Sequence, residues 1–68
     1  MKKTKIMVRR DAKVESVSKV PQKNIYEVKT KVNPHLYVTY TGYRSQPKVG
    51  TKTLKKGDTV WAGQTIRG

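Results

Sequence analysis

The side chains best suited to chemistry in this sequence are cationic and aromatic. Sixteen Lys and Arg residues face four Asp and Glu residues, so the formal charge is +12 over 68 residues. Such a chain attracts polyanions, whether nucleic acid, an anionic membrane surface or an acidic protein face. Solubility alone asks for a smaller charge. Tyrosine or tryptophan rings exposed among the cations could stack on bases while lysines hold phosphates.

The aromatic residues divide into two groups by strand alternation. Tyr26 and Tyr40 fall on apolar faces and are predicted to pack in the core. Tyr37 and Tyr43 fall on the opposite face, and the only tryptophan lies outward of Val60 near the end. The candidate nucleic-acid contacts are Lys29, Lys31, Tyr37, Tyr43, Arg44, Lys55, Lys56 and Trp61.

The N-terminus adds a second group of cations. Residues 1–5 carry three lysines and no apolar residue after Met1, so they are predicted to form a flexible basic arm before a single domain at 6–68. The start is basic like a signal peptide but lacks the apolar stretch of ~7–15 residues. With no apolar run of ~18 residues either, a cytoplasmic protein without a membrane span is predicted. The cations of the arm and the segment after it are Lys2, Lys3, Lys5, Arg9 and Arg10.

Catalytic and metal-binding patterns are weak. His35 is the only histidine, there is no cysteine, and the four acidic residues are scattered singly. The serines lack the flanking pattern of a nucleophile elbow, and no glycine-rich loop is arranged to cradle phosphate. The sequence therefore predicts a protein that is not an enzyme and uses no metal or cofactor.

The elements that must position these residues read as strands. Val, Ile and Thr number 20, whereas Ala, Leu and Met number six, a balance that favours sheet over helix. Residues 25–32 alternate cleanly, with Glu27, Lys29 and Lys31 on the polar face. Residues 36–43 form the next strand after an Asn33-Pro34 turn, so both polar faces are expected to meet.

The remaining strands are shorter or irregular. Val14, Val17 and Val20 are spaced by three, which indicates a β-bulge near Ser16 or, as the alternative, a short amphipathic helix. Residues 49–54 and 59–66 are each predicted to be one strand. The result is an all-β fold, a small five- or six-stranded antiparallel barrel or sandwich. Its apolar content is low, so a homodimer that pairs strands across chains is attractive.

The closing stretch resembles a known local shape. Leu54, Gly57-Asp58, Val60, Gly63-Gln64 and Ile66 are spaced as in the hammerhead of biotinyl and lipoyl domains and related single-hybrid barrels. The resemblance implies two turns flanking a short strand. It implies no carrier activity, because the modified lysine of that family lies between two methionines or similar apolar residues, and no such tripeptide occurs here.

Two function classes follow from these patterns. The first is nucleic-acid binding, to DNA or RNA, by a small basic β surface with little sequence preference. The second is an interaction, assembly or inhibitor protein that docks its basic face on an acidic protein. Compact basic chains are common among virus-encoded proteins, so a viral source is one interpretation. A membrane-surface binder ranks last, because an amphipathic apolar stripe is missing.

Overall fold

The chain folds into β-strands that are joined by tight turns. The structure, a computed structural model, describes residues 4–68, which contain strands and no helix. The strands are β1 (Lys5–Met7), β2 (Ala12–Val20), β3 (Ile25–Asn33), β4 (Leu36–Tyr43), β5 (Lys48–Val49), β6 (Lys52–Thr53), β7 (Thr59–Val60) and β8 (Thr65–Arg67). The all-β prediction is confirmed.

The strands form two antiparallel sheets. The long sheet has the order β4-β3-β2-β7, and the short sheet has the order β1-β8-β5-β6. The predicted count of five or six strands is too low, because residues 4–68 form eight. Each of the two predicted C-terminal strands is broken by a turn, at Gly50-Thr51 and at residues 61–64. Alternation of apolar and polar residues predicts one continuous strand in each case, but a short turn divides each of them in two.

The bulge predicted in β2 is confirmed. Val14 pairs with Thr30 and Ser16 pairs with Lys29, so β2 carries one extra residue between these pairs. A bulge residue of this kind reverses the parity of the side chains that follow it. Val14 is therefore fully buried, and Val17 also packs against the core despite the spacing of three.

The prediction that Tyr43 faces outward is wrong. Tyr26 pairs with Tyr43 whereas Glu27 pairs with Thr41, so Gly42 is an extra residue in β4. Gly42 has a φ of 96°, which glycine adopts without the steric penalty of a side chain. The bulge turns Tyr43 onto the core face, where its side chain is fully buried. Tyr43 therefore leaves the set of candidate contacts.

The core draws on both sheets and on the turns between them. Tyr40 belongs to it and Tyr26 packs against it, as predicted. Thr30 is fully buried among the apolar residues, where its hydroxyl donates to the Val38 carbonyl oxygen at 2.7 Å. The hydrophobic core cluster consists of the buried residues Val8, Ala12, Val14, Val28, Tyr40, Tyr43, Leu54, Val60 and Ile66.

The folded body includes part of the segment predicted to be an arm. Lys5 lies in β1 and pairs with Arg67. Thr4 exchanges backbone hydrogen bonds with Gly68, at 3.2 and 3.1 Å. The pairing that the structure describes therefore begins at Thr4, and the predicted boundary after residue 5 lies inside the sheet. Lys2 and Lys3 lie outside the described residues.

Candidate nucleic-acid interface

The face of the long sheet that points away from the core carries two of the candidate cations, Lys29 and Lys31, together with Tyr37. We call this the outer face and define it by Lys13, Lys29, Lys31, Tyr37 and Thr59. Thr59 pairs with Lys13, Lys13 with Lys31, and Lys31 with Tyr37, so these four residues form one row across all four strands. Ser16, Lys29 and Thr39 form the next row. The predicted meeting of the polar faces of β3 and β4 is confirmed.

Tyr37 lies under two lysines on the outer face. Its ring centroid is 5.0 Å from Lys29 Nζ and 5.8 Å from Lys31 Nζ. Both distances are within the range of cation–π attraction. Because Tyr37 is still 46% exposed, its ring remains open to a ligand while the two ammonium groups flank it.

Lys13 is an outer-face residue that the sequence prediction missed. It is exposed and lies between Thr59 and Lys31 in the pairing row. The signal was present in the alternation of Ala12, Lys13 and Val14, in which both neighbours are buried. The bulge after Val14 made this alternation hard to recognise in the sequence, because it interrupts the two-residue repeat of apolar side chains in the rest of β2.

Trp61 lies at the opposite edge of the long sheet from Tyr37. It follows Val60, which is fully buried, and its own side chain is 55% exposed, as alternation predicts. Its backbone is held in a turn, because the Trp61 N–H donates to Gln64 Oε1 at 2.9 Å and the Trp61 carbonyl accepts from the Gln64 N–H at 3.1 Å. Three strand spacings, about 14 Å, separate the backbones of β7 and β4. Trp61 is therefore exposed in the turn beyond the β7 edge, and Tyr37 is exposed on the β4 edge strand.

Lys55 and Lys56 belong to a turn that docks beside β2. The Gly57 N–H donates to the Val14 carbonyl at 2.9 Å, and the Val14 N–H donates to the Asp58 carbonyl at 2.7 Å. Within the turn, the Lys55 N–H donates to Asp58 Oδ2 at 3.0 Å. Asp58 Oδ1 also lies 3.3 Å from Lys52 Nζ. Both lysines are exposed next to the sheet, on its β7 side.

Arg44 is not brought to the Tyr37 cluster. It is exposed and directly follows Tyr43, at the far end of β4. Tyr37 lies near the start of the same strand, about 20 Å away at the rise of an extended chain. Arg44 can therefore contact only a ligand that runs along the whole strand.

The arginines after β1 lie beside a different feature. Arg9 and Arg10 are exposed and line an open groove of about 460 Å³ between β1 and β4. Lys5 is exposed on the short sheet. These three cations are therefore positioned apart from the outer-face row.

Two further observations concern metal binding and similarity to known proteins. Among residues 4–68, no three His, Cys, Asp or Glu side chains gather to hold a metal ion, and no helix is long and apolar enough to cross a membrane. The chain matches no protein-family model, and no curated protein or solved structure is significantly similar to it. The hammerhead resemblance of residues 54–66 stays a prediction.

Proposed function

We propose that this protein binds nucleic acid without catalysis through the outer face of its long sheet. The observation that supports this most is the placement of Tyr37 beneath Lys29 and Lys31, in one pairing row with Lys13. Lysine ammonium groups around an exposed ring offer phosphate contacts and a stacking surface within one patch.

The sheet geometry favours unpaired bases. Bases in a duplex are stacked on one another, whereas a single strand can splay its bases onto aromatic side chains. Tyr37 and Trp61 are both half-exposed at opposite edges of the long sheet, and in this proposal a strand that crosses the sheet contacts both rings and the lysines between them. Phosphate contacts carry no base information, so we expect little sequence preference.

The test is a binding titration with a fluorescent single-stranded 15-nucleotide oligonucleotide of mixed sequence. Tyr37→Ala is expected to remove about 1–3 kcal/mol of binding free energy, the usual contribution of one stacked base. The double variant Lys29→Glu and Lys31→Glu should weaken binding further, because it reverses both charges around the ring.

The matched control is the double variant Lys23→Glu and Lys48→Glu. It changes the net charge equally but alters exposed positions outside the outer face. Long-range attraction alone would reduce affinity to the same extent in both double variants, and that result would contradict the proposed face. Absence of binding at low salt would contradict nucleic-acid binding altogether.

A further inference from the structure

An open apolar groove lies between the two sheets, at the edge of the long sheet. Its volume is about 460 Å³, and β1 and β4 supply most of its walls. Ile6 and Met7 line one side, and Leu36 and Val38 line the other. Met7 is 58% exposed and Leu36 is 37% exposed, so the groove presents apolar side chains to solvent. On β4 its lining includes the core-side residue Tyr40 and also Thr39 and Thr41, so the groove reaches the edge of the sheet beside the outer face.

A hydrogen bond joins β1 and β4 beyond one end of the groove. The Thr4 hydroxyl donates to the Gly42 carbonyl oxygen at 2.7 Å, which joins the start of β1 to the end of β4. From that contact the groove extends toward Leu36 on β4 and toward Arg9 and Arg10 after β1.

Both strands beside the groove are edge strands. In the pairing of residues 4–68, β4 ends the long sheet and β1 ends the short sheet. β4 is eight residues long, so its free edge offers a row of backbone donors and acceptors. An unpaired edge of this length is a template for the addition of another strand.

The positive charge beside the groove distinguishes between two candidate occupants, a second copy of the chain and an acidic segment of another protein. A second copy of the chain would bring another +12 to this edge, and both copies carry Arg9 and Arg10 beside it. An incoming strand with acidic side chains meets the opposite situation, because each carboxylate approaches fixed positive charge. Alternation in that strand would place every second side chain over the groove, so apolar residues suit those positions. Acidic residues at the end beside Arg9 and Arg10 would face the arginines that line the groove there.

We infer that the groove between β1 and β4 binds an extended peptide segment of another protein as an added strand on β4, with apolar residues at alternate positions and acidic residues at the end beside Arg9 and Arg10. The added strand satisfies the free backbone edge, while Leu36, Val38 and Met7 cover its apolar side chains. Arg9 and Arg10 select acidic over basic sequences. Thr39 lies in both the groove lining and a row of the outer face, but Leu36, Arg9 and Arg10 do not belong to the outer face, so either proposal can stand without the other.

The experiment titrates the full-length, isotope-labelled protein with a ten-residue peptide of alternating Val and Thr whose last two residues are Glu, followed by NMR. An antiparallel added strand places that C-terminal end beside Leu36, Arg9 and Arg10. Saturable shifts are expected in the amides of β4 and of residues 6–10, together with slower hydrogen exchange along β4. A peptide with Lys in place of every Glu should bind at least tenfold more weakly. A peptide with proline at its centre should also bind more weakly, because it lacks a backbone donor.

Variants locate the site. Leu36→Glu and the double variant Arg9→Glu and Arg10→Glu alter exposed side chains, and each is expected to weaken peptide binding at least tenfold. The control, Lys23→Glu with Lys48→Glu, has the same net charge as the arginine variant and should stay within about twofold of wild type.

Several outcomes would overturn the inference. They are the absence of saturable shifts, equal affinity for the Glu and Lys peptides, and shifts confined to Lys29, Lys31 and Tyr37. A fourth is a concentration-dependent dimer, in the absence of peptide, that protects the β4 amides, because a second copy would then be the occupant. Oligonucleotide binding that persists with peptide bound would show that the two sites are distinct.

Discussion

At the scale of single residues, the ring and the hydroxyl of Tyr43 have opposite effects on the stability of the fold. Its ring fills the core next to Tyr40, yet its hydroxyl has no hydrogen-bond partner within residues 4–68. A buried polar group without a partner costs about 1–3 kcal/mol. The ring therefore stabilises the fold, while the hydroxyl opposes it.

Tyr43→Phe is accordingly expected to raise the free energy of unfolding by about 1 kcal/mol, because it removes only the unpaired hydroxyl. Tyr43→Ala should lower it by about 3–5 kcal/mol, the usual cost of truncating a buried aromatic ring. Urea unfolding of both variants checks the pair, with Tyr37→Phe on the surface as the control. A loss of stability in Tyr43→Phe would show that the hydroxyl has found a buried water.

Burial also affects the ionisation of the core tyrosines. It raises the pKa of Tyr43 above the ordinary 10.0, with a further contribution from Tyr40, and it raises the pKa of Tyr40 as well. The unfolded chain therefore ionises at these positions first. Their contribution to stability is complete below pH 10.0 and falls as the pH rises above it. Absorbance titration of the folded protein should show late-ionising phenols, and Tyr43→Phe should remove part of that fraction.

Trp61 provides a fluorescent reporter of binding near the β7 edge of the long sheet. Because its ring is 55% exposed, Trp61→Ala should cost far less stability than a buried aromatic truncation of ~3–5 kcal/mol. Stacking on a base should quench its fluorescence when oligonucleotide is added. A quench produced only by the acidic peptide would instead assign Trp61 to a protein contact. Unfolding of Trp61→Ala would contradict its placement at the surface.

At the scale of elements, the bulge in β4 determines which aromatic residues are available. Gly42 has a φ of 96°, and a Cβ at this position would meet no atom within 4 Å. The cost of a side chain there is therefore conformational strain rather than a clash. Gly42→Ala is expected to destabilise the fold by about 1–2 kcal/mol. If stability is unchanged, Ala has removed the bulge, and altered NMR shifts at Tyr43 would reveal the new register.

Two truncations of the N-terminus separate its contribution to polyanion binding from its contribution to stability. Removing residues 1–3 deletes two lysines, so polyanion binding should weaken, while the melting temperature should stay the same because the described pairing begins at Thr4. Removing residues 1–7 also deletes β1, which pairs with β8 and places Ile6 against the core. A fall of several degrees is expected, since 1 kcal/mol corresponds to about 4–8 °C in a domain of this size. Equal melting temperatures for both truncations would contradict a structural role for β1.

At the scale of the whole molecule, charge dominates binding. If the outer face contacts ~4–6 phosphates, log affinity should fall with log salt at a slope of about −3 to −4 for single strands and about −4 to −5 for duplex DNA. Titrations at several salt concentrations measure both slopes. A flat dependence would contradict phosphate binding, whereas tighter binding to duplex than to single strands would contradict the stacking role of Tyr37 and Trp61.

The features of this fold that the sequence alone determined lie where the two-residue alternation of apolar and polar side chains is unbroken. The alternation in residues 25–32 placed Val28 and Thr30 inside and Lys29 outside, and the Asn33-Pro34 turn brought Tyr37 beside Lys31, where the Asn33 side chain accepts from the His35 N–H. Alternation is a local property, since successive side chains of a strand point to opposite faces. The all-β class and the lysine-rich outer face could be predicted for this reason.

Other features were decided only by the tertiary structure, because they depend on contacts between residues that lie far apart in the sequence. The Gly42 bulge, which buries Tyr43, is a matter of register with β3 and cannot be read from β4 alone. The pairing of β1 with β8 joins the two ends of the described chain, and it leaves the groove that Arg9 and Arg10 line beside the free edge of β4. Register and edges arise when strands pair, and strand pairing depends on residues far apart in sequence.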